Sequence, residues 1–216
     1  MILSVLAILS AFLIPSVFHF LQDANLLQAQ HDVQVIASGL VNFMNDTGQS
    51  PAMLGAYLED SGGDSLVDLL AGPGRRPRTM AEWSAGKPQA RLSAGSRRFQ
   101  TSSPNGTADW LEGRAGALED FLAVNGCRLP LKMAGRGTGW NGPYINTQLS
   151  SDPWGDQYLV NVRFLDTQAG AADADGAVRK AVFVISAGPN QTIETPFSQP
   201  VSEALVYGDD IVARVR

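Results

Sequence analysis

Residues 1–51, MILSVLAILSAFLIPSVFHFLQDANLLQAQHDVQVIASGLVNFMNDTGQSP, carry the pattern that decides the architecture. From Met1 to Leu21 there is no charged side chain, and only Ser4, Ser10, Ser16 and His19 are polar. Such a run fits a helix of roughly 20 residues spanning a membrane. From Gln22 the helical pattern continues and turns amphipathic. Leu26, Leu27, Val33, Ile36, Leu40, Phe43 and Met44 recur at the spacings one helical face requires. Gln30, Asp32, Gln34, Ser38, Asn42 and Asn45 fall mostly elsewhere around it. Gly48 supplies a stop and Pro51 forbids continuation. The pattern predicts one helix of about 46 residues, roughly 70 Å long at 1.5 Å per residue. Its first half suits lipid or a helical bundle and its second half a globular head, with a kink or local melting expected at Pro15.

The flanks bear on what the apolar half is. A cleaved signal peptide has a basic n-region and a small-residue cleavage site, yet no Lys or Arg precedes Arg75. A simple signal anchor normally carries basic residues on its cytoplasmic side. An apolar segment that begins abruptly instead reads as the remainder of a longer one, with a true start upstream of Met1.

SVLAILSAFLIPS followed by AQHDVQVIASGLVNFMNDTGQSP (residues 4–16 and 29–51) resembles the N-terminal helix of type IV pilins and type II secretion pseudopilins. In that family an apolar half containing a proline leads into an amphipathic half that ends at an Asp-Asn-Gly-Xaa-Tyr-Pro-like turn. Asn45-Asp46-Thr47-Gly48-Gln49-Ser50-Pro51 is similar to that turn, with Ser50 where an aromatic is usual. The basic leader, the peptidase-site Gly and the Phe-Thr-Leu-Ile-Glu start are not among these residues. The resemblance therefore places about five to seven mature residues and a leader upstream. A generic single-pass anchor is the alternative.

Residues 48–138 read as a variable insertion. Gly, Ser, Pro and Arg dominate 55–108, and AGPGRRPRT (71–79) and SRRFQTSSPNGT (96–107) read as loops. Residues 71–100 hold Arg75, Arg76, Arg78, Lys87, Arg91, Arg97 and Arg98 against Glu82 alone, a local +6; the net charge of −5 thus leaves −11 on the rest. The cluster reads as a solvated, partly mobile surface loop, or as a contact for acidic lipid, a neighbouring subunit or an anionic ligand. The overall acidity argues against nucleic acid as the main partner. A second helix is expected over Asp109–Asn125, with Asp109 and Glu112 as a capping box, Gly126 as its stop and Trp110, Leu111, Leu118, Phe121 and Leu122 as its buried stripe. Cys127 is the one cysteine, so no intrachain disulfide forms, and it reads as a small packed residue.

The C-terminal part, 139–216, reads as a small antiparallel sheet. Gly139–Ile145 and Ser151–Tyr158 are turns pinned by Trp140, Tyr144, Trp154 and Tyr158. Strands are expected at Tyr158–Leu165, Ala181–Ile185 and Ile211–Val215, and the unbroken apolar run Val182–Ile185 suits a strand covered on both faces. WNGPYI (140–145) and DPWGDQYLV (152–160) resemble segments of the major pseudopilin of type II secretion. ISAGPN (185–190) and GDDI (208–211) are similar to two turns that hold calcium in that family. The resemblance, over 1–51 and about 139–215, implies a metal site made by Ala187 (carbonyl), Asn190 (amide oxygen), Asp209 and Asp210. Mixed carboxylate and carbonyl oxygens suit calcium. Asn190 stands where the family has Asp, which removes a charge, and the 191–207 loop is longer than the family's. Two polar turns tied by hydrogen bonds without metal are the alternative.

Catalytic patterns are poor. His19 and His31 both sit on the stem helix, away from any Ser-His-Asp arrangement. Asp173-Ala174-Asp175-Gly176 lacks the later Glu of a calcium loop and reads as a hairpin tip. Gly135–Gly142 lacks the Gly-Lys-Ser/Thr of a phosphate loop. The expectation is an α+β, pilin-like fold: a membrane or filament-core half-helix (1–21), an amphipathic half (22–47), and a head. The resemblance implies a non-enzymatic subunit of a periplasmic pseudopilus driving type II secretion. Its partners would be copies of itself, other pseudopilins, the assembly platform and membrane lipid. It would sit as a single-pass protein in a bacterial inner membrane with its head in the periplasm. A type IV pilus or minor pilin, used in adhesion, DNA uptake or motility, and a membrane-tethered periplasmic enzyme are the alternatives.

Overall fold

The computed structural model describes residues 2–54, 66, 68–79, 110, 115–133, 137–145, 149–165 and 180–215, with side chains from Val17 onward. Helix α1 runs Ile2–Thr47, the length the periodicity predicts. It passes Pro15 as continuous helix and stops where glycine allows it. Gly48 takes φ +68° and its N–H bonds the Met44 carbonyl at 2.8 Å, the left-handed cap that a residue with a Cβ adopts only at a cost. Ser50 then opens a one-turn helix, α2 (Pro51–Leu54), its Oγ accepting from Ala52 N at 3.2 Å.

The buried stripe of α1 is Ala29, Val33, Ile36, Ala37, Leu40 and Phe43. Leu27, expected in that stripe, is 66% exposed: at about 100° per residue it lies some 120° round the helix from Val33. Leu26 and Met44 pack at the margin.

The stripe lies on a five-stranded sheet. Its strands are β1 (Asp68–Ala71), β3 (Ala115–Ala117), β4 (Tyr158–Val160), β5 (Phe183–Ser186) and β7 (Ile211–Arg214), ordered β3-β1-β4-β5-β7. The β1–β3 pair is parallel and the others antiparallel. The sheet is thus mixed, not the antiparallel C-terminal sheet expected, and two of its strands come from the region read as an insertion. These are Asp-Leu-Leu-Ala and Ala-Gly-Ala, too short and too weak in β-propensity to announce themselves; pairing makes them strands.

The helix expected over Asp109–Asn125 does not form. Ala115–Ala117 is strand β3, and helix is confined to α3, Glu119–Leu122; Asp109 and 111–114 lie outside the described residues. A Cβ added at Gly116 would come 2.9 and 3.1 Å from the Leu66 and Leu69 side chains. A glycine there weakens a helix and lets two strands approach. Leu118, Phe121, Leu122 and Trp110 are buried as expected, the first three in the cluster beneath α1 and Trp110 in the cluster on the opposite face of the sheet.

Alternation along β4 and β5 divides the core in two. Tyr158, Val160 and Val184 face α1; Leu159, Phe183 and Ile185 face a smaller cluster with Trp110, Ile193 and Phe197. The apolar run Val182–Ile185 is covered on both sides, as its composition requires. Strand β4 ends earlier than expected, because the buried Asn161 side chain takes over the ladder. Its Nδ2 donates to the Ala181 and Phe197 carbonyls, 3.1 and 2.9 Å, and its Oδ1 accepts from Phe183 N at 2.7 Å. A 3-10 turn, Val162–Leu165, follows. The hairpin tip expected at Asp173–Gly176 lies outside the described residues.

Candidate functional site

Three turns meet at the C-terminal end of β5: 152–156, 188–191 and 208–210. Asp152 organises the first. Its Oδ1 accepts from Trp154 N and Asp156 N, 3.1 and 2.7 Å, and its Oδ2 from Ser186 Oγ at 2.7 Å. Of the aromatics expected to pin the turns at 139–145 and 151–158, Tyr144 packs edge-on against Phe43 and Trp140, and Tyr158 is fully buried with its hydroxyl donating to Asp32 Oδ2 of α1 at 2.9 Å.

The segment 71–79, read above as a solvated loop, is fastened between the first two turns. Gly74 lies so close to the Asp156 backbone that an added Cβ would come within 2.6 Å of the carbonyl carbon. Arg75 N donates to the Gly155 carbonyl at 2.8 Å, Gln157 N to the Arg75 carbonyl at 2.7 Å, and Arg75 Nε lies 3.3 Å from Asp156 Oδ1. Arg78–Thr79 forms β2, paired in parallel with β6 (Thr192–Ile193). Gln191 locks the two turns together: its Nε2 donates to the Trp154 carbonyl at 2.7 Å, and its own carbonyl accepts from Arg78 N at 3.2 Å. Asp156 is fully buried. Burial, then the neighbouring Asp152, pushes its carboxyl up to about 6, with Arg75 and Arg78 pulling the other way. Lys87 to Arg98 lie outside the described residues.

The predicted metal residues occupy the second and third turns. Asp209 Oδ2 accepts from Asn190 N at 3.0 Å, so Asn190 and Asp209 are brought together. The Asn190 amide oxygen is turned back on its own loop, accepting from Thr192 N at 2.7 Å. Ala187 is buried at the end of β5, and no hydrogen bond among the described residues joins it to either carboxylate. Asp210 Oδ2 accepts from Glu194 N and Thr195 N, 2.9 and 2.7 Å. Burial raises the Asp210 carboxyl to about 6; the bonds from Thr195 and Glu194 N oppose this, and the Glu194 charge adds to it.

Each carboxylate thus uses one oxygen to hold a turn. The others, Asp209 Oδ1 and Asp210 Oδ1, are buried without a hydrogen-bond partner. A buried carboxylate oxygen left unsatisfied is costly. Among the described residues no group of three or more Asp, Glu, His or Cys side chains could hold a metal ion. Of the four predicted metal residues, Asp209 and Asp210 are thus the two that keep a side-chain oxygen unspent, the Asn190 amide oxygen being bonded within its own loop. Two participants escaped the sequence reading, Glu194 beside Asp210 and Arg75 beside Asp156. The signals for them were an acid within the over-long 191–207 loop and a basic run that needed a buried counter-charge.

Away from these turns, α1 leaves the head apolar. Val17, Phe18, Phe20 and Leu21 are 52%, 62%, 72% and 50% exposed. Among the described residues no helix is long and apolar enough to cross a membrane; most of the run Met1–Leu21 precedes Val17, where only backbone is described. The chain matches no family model, and no curated protein or solved structure compared with it is similar to it.

Proposed function

We propose that this chain is a structural subunit that polymerises through α1, in the manner of a type II secretion pseudopilin, with the head on the filament exterior. The observation that carries the reading is the division of α1. From Ala29 onward one face is buried on the sheet, while Val17, Phe18, Phe20 and Leu21 project apolar surface with no partner among the described residues of the head. Lipid before assembly and neighbouring helices afterwards would cover them. Covering them rather than leaving them in water is worth roughly 4–7 kcal/mol, and exchanging lipid for neighbouring helices then adds packing rather than further burial. The reading places the chain in a bacterial inner membrane with its head in the periplasm, alongside related subunits and an assembly platform. Asp209 and Asp210, with Asn190 and the Ala187 turn, would hold calcium. Bound there, it supplies the positive charge that two adjacent buried carboxylates lack.

A type IV pilus or minor pilin subunit is the second reading. It leans on the basic segment, but Arg75 is committed to Asp156 and the Arg78 backbone to β6, which weakens the case for a basic docking arm at that position. The test is oxidative crosslinking in membranes of chains carrying Val17→Cys and Leu21→Cys. The native Cys127 is buried and should not interfere. A ladder of disulfide-linked multimers is expected; monomer alone under conditions that crosslink a control membrane dimer would sink the reading.

A further inference from the structure

The segment Gly72–Thr79 is held to the head by polar bonds rather than by apolar packing. Its sequence, GPGRRPRT, contains no Val, Leu, Ile, Met or aromatic residue, and within it only Pro77 and Thr79 are buried. Arg75 N and Gln157 N donate across the join in opposite directions, at 2.8 and 2.7 Å. Gln157 Nε2 donates to the Gly72 carbonyl at 2.8 Å, and Arg78 N reaches the Gln191 carbonyl. A segment with so little apolar burial opens at a lower free energy than the sheet beside it. Beneath it two carboxylates share one turn, and their surroundings differ. Asp152 accepts three hydrogen bonds, from Trp154 N, Asp156 N and Ser186 Oγ, which favour its ionised form. Asp156 is 0% exposed and neither of its oxygens accepts a hydrogen bond. Arg75 Nε approaches it to 3.3 Å as an ion pair alone. The proton of the pair therefore goes to Asp156. Asp152 on its own turn, Arg75 on the segment and Arg78 on β2 face this carboxyl, the first raising and the other two lowering its hold on a proton.

We infer that Gly72–Thr79 is a strap over the buried Asp156 that opens separately from the sheet, tightened by mild acid and loosened at neutral pH. Closed, with the carboxyl buried beside Asp152, Asp156 titrates at about 6. With the strap lifted and water admitted it returns toward about 3.9. The closed state thus binds the proton more tightly, so opening is suppressed below about pH 6 and regained above it. Those two values give about a tenfold rise in the opening constant from about pH 5 to about pH 8. Each opening turns Arg75 and Arg78 away from their buried counter-charge and out to solvent, so pH sets how often the chain presents these basic groups.

The test is amide hydrogen exchange on the full chain in detergent, read by mass spectrometry from about pH 5 to about pH 8 and corrected for the intrinsic exchange rate at each pH. Peptides covering the strap and the Asp152–Gln157 turn should be less protected than those covering β5 at every pH, as a separate opening requires. Their protection should fall about tenfold across the range, with the change centred near pH 6. Asp156→Asn should erase that fall, leaving the strap as protected at pH 8 as at pH 5. Arg75→Gln, which keeps the carboxyl but removes its nearest counter-charge, should carry the fall to higher pH and lower strap protection at pH 8 below that of the unsubstituted chain. Strap peptides as protected as β5 at pH 8 would overturn the inference, because no separate opening would exist. A protection that does not change with pH, or a tenfold fall that survives Asp156→Asn, would overturn it as well. If Asp156→Asn does not fold, the Arg75→Gln profile decides: a fall centred where it is in the unsubstituted chain sinks the role of Asp156.

Discussion

Arg75→Ala should leave the Asp156 carboxylate fully buried with its nearest counter-charge gone. Asp156 is 0% exposed and the Arg75 side chain 39%. Breaking a fully buried pair costs about 3–5 kcal/mol; solvent around Arg75, and the remaining charge of Arg78, reduce this to roughly 2–3 kcal/mol at neutral pH. For a chain of this size that is roughly 4–12 °C in melting temperature. The pH dependence identifies the cause. In the folded chain burial and Asp152 hold the Asp156 carboxyl at about 6, above its unfolded value of about 3.9. The folded state therefore binds the extra proton between those values. The contribution of this carboxyl to stability is fully present below about pH 4 and lost as pH rises toward 6. Without the guanidinium the folded value moves higher still, so the loss extends to higher pH. Melts in chelator at about pH 7.5 and pH 5 should show the full Arg75→Ala deficit at the first and a much smaller one at the second. In an Asp156→Asn background the same substitution should cost under about 1 kcal/mol. Equal melting of Arg75→Ala and the unsubstituted chain at pH 7.5, or a deficit that does not shrink in acid, would refute the reasoning.

Tyr158→Phe removes a 2.9 Å hydrogen bond to Asp32 Oδ2 that ties β4 to α1. Because Asp32 can rehydrate, a loss of about 1–2 kcal/mol is expected, read as a lower midpoint in urea with an unchanged slope; a changed slope would mean that the helix had come off the sheet. Cys127 is 6% exposed and burial pushes its thiol up to about 11, so an aromatic disulfide reagent at about pH 8 should label it only as fast as the head unfolds. Immediate labelling in native buffer would count against this packing.

The helix was legible because two independent signals coincide in it. An apolar stripe of period 3.6 runs to Phe43, and a Gly48/Pro51 stop follows at once. The interior strand β5 was legible for a similar reason, since Val182–Ile185 contains no polar residue to face water. Strands β1 and β3 were not, because nothing in Asp-Leu-Leu-Ala or Ala-Gly-Ala distinguishes a strand from a loop until a neighbour supplies hydrogen bonds. Helix over 115–117 gave way to strand because Gly116 weakens a helix there while β1 supplies a pairing edge. At the candidate site, Asp209 and Asp210 stood out through the resemblance of GDDI (208–211) to a family turn. Glu194 and Arg75 did not, because their meaning lies in partners on other turns, which local spacing does not encode.

The placement of β1 and β2 changes what the middle of the chain is for. A segment that merely decorated the head could vary or be removed at little cost. Here Asp68–Ala71 stands between β3 and β4, so removing it would expose the edge of β4 and strip cover from Leu159 and Val160 at the centre of both cores. The stretch that follows, Gly72–Thr79, then crosses from the 152–156 turn to β6 and shares Gln191 with both. Gln191 immediately follows Asn190, whose N–H holds Asp209. The basic segment, the tryptophan turn and the candidate cation turns are therefore one mechanically continuous unit. Disturbing Arg75 should loosen the geometry of Asp209 even though no direct contact joins them, and an ion at Asp209 and Asp210 should in return stiffen the seat of Arg75.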